Sequence, residues 1–124
     1  MNPDYLRKWT DAYLVELVAM DSISLASDAR SRRWNKHVHR MQRAQLELRK
    51  TAEGRATITA MMAHPMPTVA RWSAAHSLFW AEFEARVYLE ALASSGGDGS
   101  FEAEMVLREF NAGRLRMDWE PKSR

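Results

Sequence analysis

The sequence predicts an all-α protein, and three observations support this prediction. Apolar residues recur at steps of three and four along most of the 124 positions, which is the repeat of an amphipathic helix. No segment sustains the apolar and polar alternation of a half-buried strand. Prolines and glycines lie mainly between the periodic stretches, where they begin or end helices. Because 46% of the residues are hydrophobic, the chain can bury one packed core.

The first helix is predicted over 4–20. Asn2 can cap its N-terminus, and Pro3 suits the first helical position because proline has no amide hydrogen to leave unpaired. The apolar stripe repeats at one-turn intervals and consists of Leu6, Trp9, Tyr13, Leu17 and Met20. The serine-rich run 21–28 is predicted to break this helix.

A second helix is predicted over 27–51, and it has a narrow apolar seam. The seam residues are Trp34, Val38, Met41, Gln45 and Leu48. Gly54 follows the periodic stretch, so it is predicted to end the helix.

Two prolines mark the next boundary. The segment 58–62 is predicted to be a short helix that stops at His64, because a residue before proline is pushed out of the α region. Pro67 is predicted to begin the following helix. The inward face of that helix is expected to comprise Val69, Trp72, Ala75, Leu78 and Phe79.

Two further helices complete the predicted fold. One covers 82–94, and the other covers 100–112 after the glycine-rich loop 94–100. The charged tail 114–124 is expected to be extended or loose, with Trp119 in contact with the body of the protein. The apolar residues of the earlier helix are Phe83, Val87, Tyr88, Leu89 and Leu92.

The segment 61–79, MMAHPMPTVARWSAAHSLF, resembles a HEAT repeat. In that pattern a short helix ends at a proline-containing turn, and a Val-x-Arg pair opens an alanine-rich second helix. The matching positions here are Val69, Arg71, Ala74, Ala75 and Leu78. The resemblance implies a short right-handed superhelix of about six helices in stacked antiparallel pairs. The arrangement is also similar to a small bacterial family classified only as a domain of unknown function, which supplies no catalytic residues.

One helical domain is accordingly predicted over 1–124. Its predicted parts are a long N-terminal helix pair, a HEAT-like pair, a second repeat-like pair and a charged tail, at 1–53, 55–80, 82–113 and 114–124.

Composition argues against several classes of protein. The chain has no cysteine, which excludes disulfides, thiolate metal sites and cysteine nucleophiles, and favours a reducing compartment. No apolar run reaches the roughly 18–20 residues that cross a bilayer. The N-terminal region has no uninterrupted apolar stretch of the kind found in secretory signals. We therefore expect a soluble, cytoplasmic protein without a membrane partner.

The histidines do not have the spacing of metal ligands. His37 and His39 are two positions apart, which places them about 200° apart around a helix. His64 and His76 belong to different elements, and neither lies three or four positions from another histidine. No metal and no cofactor are expected.

Acidic residues and serines do not predict catalysis either. The two best-placed glutamates are each followed by an arginine four positions later, which predicts ordinary helix salt bridges for Glu82 with Arg86 and Glu104 with Arg108. No nucleophile elbow occurs, and the glycine-rich loop 94–100 lacks the Lys-Ser/Thr of a phosphate-binding loop.

Positive charge is concentrated in one segment. Residues 28–55 carry nine Lys or Arg against three acids, a net charge of +6 in a chain whose total is +2. These cations can clamp a phosphate backbone, meet an acidic protein surface, or form a solvated outer face. Eight of them crowd the second helix, namely Arg30, Arg32, Arg33, Lys36, Arg40, Arg43, Arg49 and Lys50.

These patterns favour a non-enzymatic protein-interaction module. It would bind a protein or peptide partner through a helical-repeat surface, as an adaptor or a toxin-neutralising protein does. The alternative is a nucleic-acid-binding protein that uses the basic helix 30–50, although no base-stacking or DNA-reading motif accompanies that helix. The candidate partner contacts are Arg33, Lys36, Arg40, Arg43, Arg71 and Trp80. For Arg71, a structural bond to a neighbouring turn is the competing interpretation.

Overall fold

Helices account for all the regular structure in the described part of the chain. The computed structural model describes residues 1–23 and 28–122, with 28–30 described in backbone only. Within these residues no strand occurs, so the predicted all-α fold class is confirmed. The helices are α1 (Pro3–Asp21), α2 (Asp28–Leu48), α3 (Ala52–Ala60), α4 (Pro67–Ser77), α5 (Glu82–Ser95) and α6 (Ser100–Asn111). Most of the predicted break at 21–28 lies outside the described residues.

The chain forms two compact units. The N-terminal unit comprises Met1–Thr57 together with the C-terminal segment Asp118–Arg124, and the central unit comprises Ile58–Met117. The boundary falls inside α3, so it does not coincide with a boundary between predicted helix pairs.

In the N-terminal unit, α1 and α2 form an antiparallel hairpin. Residues early in α1 lie beside residues late in α2, as the bond from the Tyr5 hydroxyl to the Glu47 carboxylate shows. Asn2 caps α1 as predicted, because its side chain accepts from the amide of Asp4 at 2.7 Å. The two helices bury a common apolar core made of Tyr13, Leu17, Met20, Met41, Ala44 and Leu48.

The turn between α2 and α3 corrects the predicted role of Gly54. The second helix ends at Leu48, and Gly54 lies in the first turn of α3. Thr51 caps α3, since its hydroxyl accepts from the Gly54 amide at 3.0 Å. A Cβ at position 54 would lie 1.9 Å from the Leu48 carbonyl oxygen. Glycine therefore permits a close approach of backbone here and does not end the helix.

In the central unit, the proline turn forms as predicted. After α3 a single 3₁₀ turn, Met61–Ala63, leads to His64, whose backbone is extended at φ −64° and ψ 139°. The His64 ring accepts from the Met66 amide at 3.0 Å, and α4 then begins at Pro67. Proline fits this first position because its fixed φ is already helical.

The central core is built from small and medium side chains of α4, α5 and α6. Its buried members are Ala74, Leu78, Ala85, Leu89, Ala103 and Leu107. Phe79 was expected to point inward, but it is 39% exposed and packs edge-on against Phe110 at 5.4 Å between centroids. Phe83 and Val87 are also exposed, because α5 packs through the face that carries Ala85 and Leu89.

We expect Gly54→Ala to destabilise the protein. Alanine is intrinsically better than glycine in a helix by about 1 kcal/mol, so propensity alone predicts a gain. The added methyl would meet the Leu48 carbonyl, which is backbone and cannot rotate away, so we expect a net loss of about 1–3 kcal/mol in urea unfolding. Gly97→Ala is the matched control, since its Cβ would have only an ordinary 3.7 Å contact with Ser95. A stabilised Gly54→Ala would show that the close approach is absent.

We expect the Tyr5–Glu47 bond to make stability depend on acid pH. The Tyr5 hydroxyl, followed by Lys50, holds the pKa of Glu47 below its ordinary value of 4.5, against an opposing effect of burial. A depressed carboxyl pKa adds stability above 4.5 that disappears as pH falls through the folded-state pKa. The stability difference between wild type and Tyr5→Phe, measured by urea unfolding, should therefore shrink on acidification. Tyr88→Phe, which has no carboxylate partner among the described residues, should show a difference that does not change over this range.

Candidate anion-binding groove on the N-terminal unit

One face of α2 lines an open groove of about 610 Å³. The lining positions on α2 are three, four, seven, eight and eleven residues beyond the first, which is the repeat of a single helical face. This face is opposite to the one that buries Met41 and Leu48, so the amphipathic pattern of α2 itself turns the groove residues outward. The lining consists of Arg32, Asn35, Lys36, His39, Arg40, Arg43 and Lys122.

The cations of the groove have no acidic partner among the described residues. The lining contains five Lys or Arg and no Asp or Glu. Elsewhere the molecule does pair its cations, as in Arg86 with Glu82 at 2.7 Å and Arg114 with Glu109 at 2.8 Å. Within residues 1–23 and 31–122, no ion pair reaches a groove cation, so the positive charge of the groove is not paired by any acid of these residues.

The C-terminal segment forms the second side of the groove. The Gln42 side-chain amide donates to the Trp119 carbonyl at 2.9 Å, across 77 positions of sequence. The Trp119 ring packs edge-on against His39 at 5.6 Å between centroids, and Pro121 is buried. These contacts hold the segment against α2 and bring Lys122 to the groove. The predicted contact of Trp119 with the body of the protein is thereby confirmed.

A chain of hydrogen bonds under the groove supports this contact. Gln45 donates to the Gln42 side-chain oxygen at 2.9 Å, and Arg49 donates to the Gln45 side-chain oxygen at 3.3 Å. Both glutamines are fully buried. Burial lowers the pKa of Arg49, with Arg55 lowering it further and Asp118 opposing. Buried amides that lose a partner cost more than the bond itself is worth, so the chain fixes Gln42 in place.

The four predicted partner contacts on α2 do not all line the groove. Lys36, Arg40 and Arg43 line the groove, whereas Arg33 is exposed but outside the lining. The side chain of Arg30 is outside the described residues. Sequence reasoning missed Lys122, and the only signal for it was the tryptophan that anchors its segment.

Arg71 lies inside the central unit, against the turn between α5 and α6. A Cβ at Gly99 would lie 3.3 Å from the Arg71 guanidinium, so that turn passes close to the side chain. Gly99 itself has a positive φ of 86°. Burial raises the pKa of the Tyr88 hydroxyl, and the charge of Arg71 opposes that rise. These contacts agree with the structural interpretation of Arg71.

Trp80 is half-buried in the central unit and uses its polar atom internally. Its indole nitrogen donates to the Thr59 hydroxyl at 2.9 Å. The Thr59 hydroxyl is also 2.9 Å from the buried Ser77 hydroxyl. The three side chains therefore tie α3 to the end of α4 within this unit.

Other chemical constellations are not assembled in the described residues. No three or more His, Cys, Asp or Glu side chains come together there as metal ligands. The nearest arrangement is a half-buried pair, His37 Nδ1 at 2.6 Å from the Glu16 carboxylate, which joins α2 to α1. The Glu82–Arg86 salt bridge forms as predicted. The predicted Glu104–Arg108 bridge is not among the ion pairs of the described residues, which corrects that expectation.

Comparison with known proteins identifies no relative from which a function could be inferred. The chain matches no protein-family model, no curated protein and no solved structure. Among the described residues, no helix has the length and apolar character needed to cross a membrane.

We expect Thr59→Val to destabilise the central unit. Valine keeps the shape of threonine but removes the hydroxyl that bonds both Trp80 and Ser77, so two hydrogen bonds are lost in a part-buried site. The expected loss is about 1–3 kcal/mol in urea unfolding. Thr57→Val is the matched control on the same helix, because the Thr57 hydroxyl bonds only its own helix, at the Glu53 carbonyl, and is more accessible to water. Equal effects at the two positions would contradict a structural role for Trp80.

Proposed function

We propose that the protein is a non-enzymatic interaction module that binds an acidic surface of a protein partner through the groove on α2. The observation that carries the proposal is the presence of Lys36, Arg40 and Arg43 in one open groove, where no acid of the described residues pairs with them. Like charges held together repel one another, and an acidic partner removes that repulsion on binding. Arg33 flanks this surface, and the internal contacts of Arg71 and Trp80 argue that those two residues serve the fold.

A protein partner explains the groove better than a nucleic acid does. Single strands are usually held by aromatic rings on which bases stack, in addition to cations along the backbone. The lining described for this groove contains no Phe, Tyr or Trp. The lining does include the His39 ring, which packs against the Trp119 ring, and the Trp119 carbonyl accepts from the Gln42 amide, so both rings are engaged within the unit. The cations alone fit a phosphate backbone, so nucleic acid remains the alternative that the experiment distinguishes.

We also propose that the helix pairs are HEAT-like, as the resemblance at 61–79 implies. The extended turn at His64, the helix start at Pro67 and the burial of Ala74 support this proposal. Arrays of this kind present extended surfaces to protein partners. The similarity to the bacterial domain of unknown function is part of the same proposal.

The test is affinity capture from nuclease-treated native lysate with wild type and Lys36→Glu/Arg40→Glu side by side. We expect one protein in stoichiometric amount with wild type and its loss with the double variant, because two groove cations become acids. The captured protein is then identified by mass spectrometry, purified, and titrated calorimetrically against both forms. Arg7→Glu/Arg108→Glu is the control, since it changes the net charge equally at exposed positions outside the groove.

Two outcomes would overturn the proposal. Equal capture by wild type and the groove variant would remove the groove from partner binding. Recovery of nucleic acid alone, in lysate without nuclease, would identify the groove as a phosphate clamp. All variants should keep the wild-type circular dichroism spectrum, because the four substituted side chains are exposed.

A further inference from the structure

The groove cations form a ladder with a regular step. Arg32, Lys36, Arg40 and Arg43 are separated by four, four and three residues along one continuous helix. At about 1.5 Å per residue, neighbouring cations are about 6, 6 and 4.5 Å apart along the helix axis, and the whole ladder spans about 16 Å. A ligand that engages all four must present negative charges at the same step.

An acidic α-helix has this step. Glutamates at positions i, i+4, i+8 and i+11 of a helix repeat at the same intervals along its axis, so four carboxylates meet four cations in register. In an extended strand, side chains on one face recur every second residue, at about 6.7 Å, and the mismatch accumulates along the ladder. Two parallel helices with complementary charges along their contact line would form ion pairs like those at the flanking positions of a coiled coil. In coiled coils such pairs determine which helix is bound as the partner.

The C-terminal segment adds a second side to this surface. Lys122 faces the same groove as the ladder but belongs to the segment held by Gln42 and Trp119. An anionic rod in the groove can therefore contact cations of both α2 and the C-terminal segment. The groove is open, so it can admit the side chains of a long ligand whose backbone stays outside.

The acids of α5 with the matching spacing are already paired within the chain. The acids on α5 that are eight positions apart, Glu82 and Glu90, both contact Arg86, at 2.7 and 4.0 Å. That helix therefore does not present a free acidic ladder to a second copy of the chain.

We propose that the groove binds an α-helix of its partner that carries carboxylates one turn apart, aligned along Arg32, Lys36, Arg40 and Arg43 and clamped by Lys122. This inference rests on the proposed function, since it names the element that the protein partner contributes.

The test uses two peptides of equal composition and the full-length protein. The first is a helix of about 18 residues, hydrocarbon-stapled on one face, with glutamates at i, i+4, i+8 and i+11 on the opposite face. The second carries the same staple and the same number of glutamates, placed around the helix so that no two share a face. Fluorescence anisotropy of labelled peptides measures affinity. We expect the laddered peptide to bind at least about tenfold more tightly than the dispersed one, because only it engages all four cations at once.

Variants inside and outside the groove locate the contact. Arg40→Glu should weaken binding of the laddered peptide by about tenfold or more, and Lys122→Glu should weaken it in the same direction. Arg33→Glu, an identical substitution outside the groove lining, should have little effect. An unordered peptide with glutamate at every second position and a short DNA duplex serve as competitors, and both are expected to displace the laddered peptide poorly.

The outcomes separate this inference from the proposed function. Equal affinity for the laddered and dispersed peptides would overturn the acidic-helix proposal. The proposed function would still stand if the Lys36→Glu/Arg40→Glu variant fails to capture a partner protein that wild type captures from lysate. Tighter binding of the alternating peptide would replace the helix with an extended segment, and tighter binding of the duplex would overturn both proposals. Equal losses of affinity for the laddered peptide in Arg33→Glu and Arg40→Glu would show that the peptide is held by general charge attraction and does not bind at the groove.

Discussion

The hydrogen bond from Gln42 to the Trp119 carbonyl is the constraint on which the candidate site depends. The C-terminal segment has no regular structure in its described part, so no helix hydrogen bonds fix its course. Its position follows from this bond, the ring contact with His39 and the burial of Pro121. Without them the basic side of α2 would be a convex helix surface. With them it is a groove to which the C-terminal segment contributes Lys122.

The buried glutamines explain why this constraint is strong. A side-chain amide taken out of water must find partners for its hydrogen-bonding groups, or folding loses the cost of desolvating them. Gln45 donates to the Gln42 side-chain oxygen, Gln42 donates to the Trp119 carbonyl, and Arg49 donates to the Gln45 side-chain oxygen. Displacing the C-terminal segment would therefore break the bond from the buried Gln42 amide to the Trp119 carbonyl. The cost of breaking it couples the packing of α2 to the shape of the groove.

The sequence predicted the parts of this structure that depend on local pattern. Pro65 stops the helical path at His64, and Pro67 begins α4. Because each proline acts on the residues next to it, this helix end and this helix start were both predicted correctly. Lys36, Arg40 and Arg43 were predicted because they share one helix, but Arg33 was chosen as the fourth contact and the groove is lined by Arg32 in its place. Gly54 was misread because a glycine after a periodic stretch usually ends a helix, whereas here it permits a contact with the backbone of Leu48. The exposure of Phe83 and the position of Lys122 depend on contacts between distant segments, which periodicity does not encode.

The identity of the cations in the groove also bears on what it can hold. Three of the five are arginines, whose planar guanidinium groups bind carboxylates through two parallel hydrogen bonds, and two are lysines, which act as flexible point charges. Arg32 and Arg43 are the first and last members of the ladder, and Arg40 lies between them. Each of these three guanidinium groups can hold one carboxylate in a fixed geometry, whereas Lys36 and Lys122 add charge without fixing the geometry. A partner whose carboxylates lie along α2 can therefore be held bidentately at three points of the ladder.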